Sequence, residues 1–165
     1  MMKIKSILLT INLLILTIFI SSCHNTSKNT TSSESEIVVK DSVLAKKLQA
    51  DDYGMKQYVI AFLKSGPNRS QTEEEAQDIQ RAHLDNIKRL AEKGVLVMAG
   101  PFLDNGELRG IYIFNVESIE AARELTETDP AVKAGRLIME LHPWYGSAAI
   151  QELPEIHERI AMKDI

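Results

Sequence analysis

The chain has 165 residues, with 23 acidic and 19 basic side chains and a formal net charge of −4 at pH 7. Lys3 and Lys5 belong to an N-terminal leader without acidic residues, so the remainder has 17 basic against 23 acidic side chains. That balance argues against a nucleic acid or another polyanion as partner. Cys23 is the only cysteine, which excludes a disulfide within the chain and a multi-cysteine metal site.

The leader has the three parts of a secretory signal: two lysines, the apolar run Ile7–Ile20, and small residues before Cys23. The run is interrupted by polar residues and is short for a bilayer span. The box ISSC at residues 20–23 resembles the cleavage site of bacterial lipoproteins, in which the cysteine becomes the lipid-modified first residue. It implies a protein anchored by lipid at Cys23 in the bacterial cell envelope, on the periplasmic side or at the cell surface. An unmodified secreted thiol is the alternative.

The rest of the chain divides into four parts by composition. Residues 24–40 begin with a Ser/Thr/Asn-rich stretch that is typical of a flexible tether. In residues 41–55, an Asp-Ser pair can cap a short helix, which predicts a helical arm. Residues 56–148 are expected to hold the folded domain, and residues 149–165 a tail that docks on it. Three residues of the tail have helical spacing: Leu153, Ile156 and Ile160.

Four apolar segments predict β-strands. They are Gln57–Leu63, Val95–Ala99, Ile111–Val116 and Leu137–Leu141. Gly100-Pro101 ends the second strand, and Pro143 is expected to end the fourth. Between the second and third strands, Asp104–Gly106 predicts a tight hairpin turn, in which Asn105 and Gly106 can take positive φ.

A long helix is predicted between the first two strands. Thr72 is a suitable N-cap, three glutamates follow it in the first turn, and Gly94 is a suitable C-terminal stop. One stripe of the helix has apolar spacing and is expected to face the sheet: Ala76, Ile79, His83, Ile87 and Leu90. The opposite arc is polar and includes Arg81, Asn86 and Arg89.

A second helix begins at Ser118 and ends before Asp129-Pro130, because the residue before a proline is pushed out of the helical region. Asp129 can cap a short helical turn over Pro130–Ala134. The resulting β-α-β-β-α-β order predicts an α+β, ferredoxin-like fold with a four-stranded antiparallel sheet and both long helices on one face. Because the first and third strands are apolar on both faces, the other sheet face is expected to bury against a second copy, giving a homodimer.

His83 allows two interpretations. It can be a core histidine whose ring bonds to a backbone carbonyl, or a general acid/base that faces a cleft between helix and sheet. Its position on the stripe does not separate them, whereas a nearby carboxylate favours the second.

Several motifs together resemble the YCII-related family, which consists of small dimeric α+β-barrel domains similar in structure to muconolactone isomerases. The motifs are His83-Leu84, GVLVMAGPF at Gly94–Phe102, the Asp104–Gly106 turn, and Asp129-Pro130 followed by Ala134-Gly135. The resemblance spans roughly Lys56–Trp144. It implies that His83 and Asp129 face each other in a pocket. Gly100 and Pro101 are expected to shape the pocket wall with backbone groups rather than to take part in chemistry. A carboxylate on one ring nitrogen would fix the tautomer and leave the other nitrogen to move a proton.

Other polar residues carry weaker signals. Arg69 and Arg109 can neutralise an anionic substrate, or they can be ordinary surface charges. Glu140 and His142 alternate onto one strand face but lack a third ligand, so no metal site and no cofactor are expected. The aromatic signature of RNA-binding modules is missing, which again argues against nucleic acid.

Three functions are compatible with these expectations. One is a small isomerase- or lyase-like enzyme that transfers a proton on a small organic acid or lactone through His83 and Asp129. Another is a non-catalytic lipoprotein that binds a small ligand or another protein, and the third is a purely structural dimer. Fold alone does not choose between them.

Overall fold

The computed structural model describes residues 39–163, so the predicted leader, Cys23 and most of the tether lie outside the described residues. The helices are α1 Ser42–Lys47, α2 Glu73–Glu92, α3 Ile119–Thr126, α4 Pro130–Lys133 and α5 Leu153–Ile160. The strands are β1 Met55–Ser65, β2 Leu96–Pro101, β3 Leu108–Phe114 and β4 Leu137–Ser147, and a 3-10 helix spans Ala148–Glu152. Within residues 39–163, no helix is both long and apolar enough to cross a bilayer.

The four strands form one antiparallel sheet in the order β2-β3-β1-β4. This is the predicted ferredoxin-like arrangement, with β1 at the centre, between β3 and β4. Alternate residues of β1 point to one face, where they form the main core with α2 and α3. That core consists of Val59, Ala61, Leu63, Leu90, Leu96, Tyr112, Phe114 and Ala122.

The predicted ends of α2 are confirmed. The Thr72 hydroxyl accepts a hydrogen bond from the Glu75 N–H at 3.2 Å, and the Glu75 carboxylate accepts one from the Thr72 N–H at 2.8 Å. This reciprocal pair satisfies two N–H groups that a helix leaves unpaired. Gly94 has a φ of +68°, which is the left-handed conformation that ends helices and favours glycine.

Three sequence-based expectations were wrong. Pro143 does not end β4 but pairs with Val59 in the middle of it. Because β4 is an edge strand, it tolerates a residue without an N–H. Between β2 and β3, the chain runs through a wider loop over residues 102–107, and neither Asn105 nor Gly106 has a positive φ. A loop of this width reverses the chain without the backbone strain of a two-residue turn.

The third error concerns Asn86, which was placed on the polar arc of α2 and is buried. The short helix that follows Asp129 extends the surface that α2 covers, so the buried stripe is wider than the sheet alone requires. Asn86 Oδ1 accepts a hydrogen bond from the Thr128 hydroxyl at 3.1 Å and another from Arg89 at 2.5 Å.

The second face of the sheet is covered at one end only. Tyr58, Val97 and Ile113 are buried there, and Ile150 of the 3-10 helix packs on them. Towards the other end of β1, Phe62 and its β3 neighbour Ile111 are half-buried. The second copy that was predicted on this face is not part of the structure, and the homodimer stays a prediction.

Candidate functional site

His83 and Asp129 are in direct contact beneath α2. Asp129 is fully buried and His83 is 8% exposed. The ring Nδ1 lies 2.8 Å from one carboxylate oxygen of Asp129 and 3.0 Å from the other. Since an ionised carboxylate can only accept, the Nδ1–H donates and a neutral ring leaves Nε2 as the basic nitrogen.

The carboxylate of Asp129 has a second partner. Its Oδ1 accepts a hydrogen bond from the Ala131 N–H at 2.8 Å, which caps α4. The proline at the first position of α4 lacks an N–H and leaves this cap geometry undisturbed. The Asp-Pro pair therefore fixes the carboxylate that holds His83.

Tyr112 of β3 lies on the other side of the ring. Its hydroxyl is 3.4 Å from His83 Nε2, and the two rings are stacked with their centres 6.2 Å apart. Burial raises the pKa of Tyr112 well above its usual range, and the negative charge of Asp129 raises this pKa further. The phenol therefore keeps its proton near neutral pH and can donate a hydrogen bond to an anion.

His83 and Tyr112 form the buried wall of a cavity of about 740 Å³. Apolar side chains line its interior: Leu63, Ile79, Leu84, Ile87 and Leu137. Four arginines and a second histidine also line the cavity: Arg69, Arg81, Arg109, Arg136 and His157. Among the described residues, no aspartate or glutamate lines the cavity.

The structure brings all the predicted site residues of the domain to this cavity. Arg69, Gly100, Pro101 and Arg109 line it together with His83, and Asp129 lies behind the imidazole. Their roles in binding or chemistry stay predictions. Cys23, the predicted lipidation site, lies outside the described residues.

Sequence reasoning missed four lining residues that matter here. Tyr112 was predicted only as a residue of the third strand, and Arg81 was assigned to the polar arc of α2 although it lines the cavity. Arg136 follows a glycine turn, and no periodic pattern marks it. His157 belongs to α5, where only the apolar spacing was noted. Arg81 lies three positions before Leu84, which also lines the cavity, and residues three apart share a helix face, so this spacing is the signal that could have identified Arg81.

A backbone clamp positions two of the arginines. The Gly66 N–H donates to the Arg136 carbonyl at 2.8 Å, and the Asn68 N–H donates to the Gly135 carbonyl at 3.1 Å. These bonds join the loop after β1 to the turn before β4. As a result, the side chains of Arg69 and Arg136 lie at the same end of the sheet.

The Glu140–His142 pair lies apart from this cavity. His142 Nε2 is 2.8 Å from one carboxylate oxygen of Glu140, and Lys64 Nζ is 2.5 Å from the other. In the part of the chain that the structure describes, no group of three or more His, Cys, Asp or Glu side chains is placed to hold a metal ion. Together with Lys64, the two residues form an ion cluster on the second face of the sheet.

Taken together, the geometry can support proton transfer. Nε2 can take a proton from a bound molecule, and Asp129 can stabilise the imidazolium that forms. The Tyr112 hydroxyl and the arginines can stabilise negative charge that develops on that molecule.

Comparison with known proteins adds two similarities. The sequence model of one family, described as the YCII-related domain, matches residues 58–145. Among solved structures, the chain is similar to the 5-chloro-2-hydroxyhydroquinone dehydrochlorinase from Burkholderia phenoliruptrix AC1100 in complex with 2,5-dihydroxybenzoquinone. The identity is 24%, the match covers 54% of this chain and 93% of that chain, and the TM-score is 0.40. No curated protein sequence matches significantly.

Proposed function

The chain belongs to the YCII-related domain family, and we propose that its domain is a small isomerase- or lyase-like enzyme that transfers a proton on a small organic acid or lactone. His83 is the general acid/base, and Asp129 fixes its tautomer. The observation that carries this proposal is the position of His83, with Nδ1 held by a fully buried carboxylate and the ring facing a cavity lined by arginines.

The chemical steps follow from the two ring nitrogens. His83 Nε2 removes a proton from a carbon next to a carbonyl group, and the electron pair moves onto the carbonyl oxygen to give an enolate. Tyr112 and the arginines stabilise this anion. Where a C=C bond is conjugated with the enolate, the imidazolium returns the proton to the far carbon of that conjugated system, which gives an isomer. Where the carbon next to the enolate carries a leaving group, the enolate expels that group with the electron pair of its bond, the imidazolium gives its proton to it, and an elimination product forms. Acid/base catalysis by a positioned side chain typically contributes about 10²- to 10⁴-fold in rate.

The tautomer of His83 tests this proposal. We expect a long-range ¹H–¹⁵N NMR spectrum of the domain to show neutral His83 with its proton on Nδ1. In Asp129→Asn, the amide oxygen can keep the hydrogen bond from Ala131, and the amide NH₂ then faces Nδ1 as a donor. The proton should therefore move to Nε2, which removes the base.

Glu140→Gln is the matched control, because it replaces the carboxylate partner of the exposed His142 in the same way. It should alter the spectrum of His142 and leave that of His83 unchanged. An identical His83 spectrum in the wild-type protein and in Asp129→Asn would show that the two residues do not act together, and would favour a binding protein without catalysis.

The proposal includes a homodimer joined through the second sheet face. Its support is the half-buried apolar surface formed by Phe62 and Ile111, next to the part that Ile150 covers. Burial of these apolar side chains against a second copy would remove them from water, which favours association.

The proposal also includes a lipid anchor at Cys23 in the bacterial cell envelope. Its support is the leader sequence, with the ISSC box at residues 20–23 and the polar tether that follows. Cell fractionation tests it: Cys23→Ser should move the protein from the membrane fraction to the soluble fraction. Retention of this variant in the membrane would contradict the anchor.

A further inference from the structure

We propose that the cavity binds a small organic dianion, a molecule with an apolar body and two negative charges. This inference deepens the proposed function by naming the substrate class. It rests on the proposed function only for the location of the site. Binding of the dianion does not itself require a proton transfer.

The charge of the cavity lining carries the inference. Four arginines line one cavity, and among residues 39–163 none of them forms an ion pair with a carboxylate. The hydrogen bonds they do form go to neutral acceptors. Arg136 Nη1 donates to Gln71 Oε1 at 2.8 Å, Arg109 Nη1 donates to the Gly106 carbonyl at 3.4 Å, and Arg69 donates to the Ser65 hydroxyl.

The nearest buried carboxylate forms no ion pair with any of these arginines. Asp129 is fully buried behind His83, and its two oxygens contact the imidazole and the Ala131 N–H. The lining therefore presents four positive charges to its contents. A ligand with one charge leaves three of them without an anion. Each carboxylate can accept two parallel hydrogen bonds from one guanidinium group, so a ligand with two carboxylates can pair with two arginines.

Topology places the four charges at one end of the domain. β1 and β2 end there, and β3 and β4 begin there, which brings Arg69, Arg109 and Arg136 together. Arg81 joins them from the first half of α2. Arg69, Arg81 and Arg109 are exposed, so they form the mouth of the cavity, and the buried His83 and Tyr112 form its inner wall.

The apolar side chains between mouth and wall define the body of the ligand. Leu63, Ile87 and Leu137 favour a hydrocarbon chain or ring over a sugar or another polar body. A cavity of about 740 Å³ is large enough for a benzene ring with two acidic substituents.

Four benzene derivatives of similar size test the inference by isothermal titration calorimetry at pH 8, with the full-length chain in detergent micelles. Isophthalate carries two separate carboxylates, phenyl phosphate carries two charges on one group, benzoate carries one charge, and isophthalamide carries none. We expect either dianion to bind at least tenfold more tightly than benzoate, and isophthalamide not to bind. The relative affinity for isophthalate and phenyl phosphate shows whether the cavity prefers two separate charged groups or two charges on one group.

Arg81→Gln and Arg109→Gln should each weaken binding of the preferred dianion about tenfold, with a smaller effect on benzoate. Arg123→Gln is the matched control, because Arg123 lies exposed on α3 and does not line the cavity. It should leave binding unchanged. Equal affinity for the dianions and benzoate, or equal losses in all three variants, would overturn the inference.

Two measurements separate this inference from the proposed function: the dianion preference of the wild-type protein and the His83 tautomer in Asp129→Asn. Dianion binding together with an unchanged His83 tautomer in Asp129→Asn would contradict proton transfer and leave the ligand class intact. A His83 tautomer that changes in Asp129→Asn, without a preference for the dianions, would overturn the dianion inference and support proton transfer.

Discussion

Asp129 shows how one residue can link local folding to the site. Its carboxylate caps α4 through Ala131 and holds His83 Nδ1, and it is fully buried. A buried carboxylate needs such partners, because an unpaired charge in the interior is very costly. The same interactions that let α4 begin at Pro130 therefore determine the orientation of the imidazole.

Tyr112 gives a pH-dependent prediction at this scale. Burial and the charge of Asp129 raise its pKa in the folded state, so the folded protein keeps the phenol proton at pH values where the unfolded chain has lost it. The stability that this group contributes is complete below about pH 10, the usual tyrosine pKa, and falls as the pH rises further. We expect Tyr112→Phe to lose stability less steeply above pH 10, by up to about 1.4 kcal/mol per pH unit.

Urea unfolding between about pH 8 and pH 11 measures the effect. The pKa values of Tyr58 and Tyr145 are raised too, but these residues are present in both proteins, so the difference between the two curves isolates Tyr112. Parallel curves for the wild-type protein and Tyr112→Phe would contradict the raised pKa.

The sequence predicted the buried pair and two of the four arginines around it, Arg69 and Arg109. His83 was recognised because a titratable ring stood on an apolar stripe, whereas its pairing with Asp129 came from the resemblance to the YCII-related family. Arg81 and Arg136 carry no such contrast with their surroundings. Long basic side chains are expected at the surface. Only the folded structure, in which the loop after β1 contacts the turn before β4, shows that these arginines line one cavity.

At the scale of elements, the contact between the loop after β1 and the turn before β4 controls the mouth of the cavity. A Cβ atom at Gly66 would lie 2.2 Å from the Gly135 carbonyl oxygen, and the Gly66 N–H already donates to the carbonyl of Arg136. The clash is with backbone atoms of Gly135 and Arg136, so no side chain can move aside to relieve it. The site arginines on both segments depend on this close approach.

Gly66→Ala should therefore lower the free energy of unfolding by about 1–3 kcal/mol, the range found when extra atoms are forced into packed sites. Gly100→Ala is the control, since a Cβ atom there meets nothing within 4 Å, and should change stability by less than about 0.5 kcal/mol. Chemical denaturation of both variants measures the difference. Equal stability of the two variants would show that the clamp is loose.

The elements themselves were largely predictable, because caps and periodicity are local. Thr72, Gly94 and Ser118 each mark a helix end by their own chemistry. The wrong predictions concern residues whose conformation depends on the elements around them. Pro143 continues β4 only because that strand lies at a sheet edge, and the chain near Asn105 turns through a wide loop that its Asn-Gly pair does not indicate.

At the scale of the whole molecule, the second face of the sheet is the surface that a single chain covers only in part. Its covered end has a buried Tyr58, whereas Phe62 and Ile111 at the other end are half-buried beside the ion cluster of Lys64, Glu140 and His142. Strand patterning predicted this surface, because both faces of β1 and β3 are apolar.

The proposed homodimer should dissociate when a charge is placed on this surface. Ile111→Glu puts a carboxylate among apolar neighbours of β1 and β3, where a dimer would bury it unpaired at a cost of several kcal/mol. We expect wild type to sediment as a dimer and Ile111→Glu as a monomer in analytical ultracentrifugation. Leu103→Glu is the control, because Leu103 is 97% exposed in the loop between β2 and β3 and should leave the dimer intact. A monomeric wild-type protein would contradict the proposed homodimer. The same sedimentation coefficient for all three proteins would exclude Ile111 from the interface.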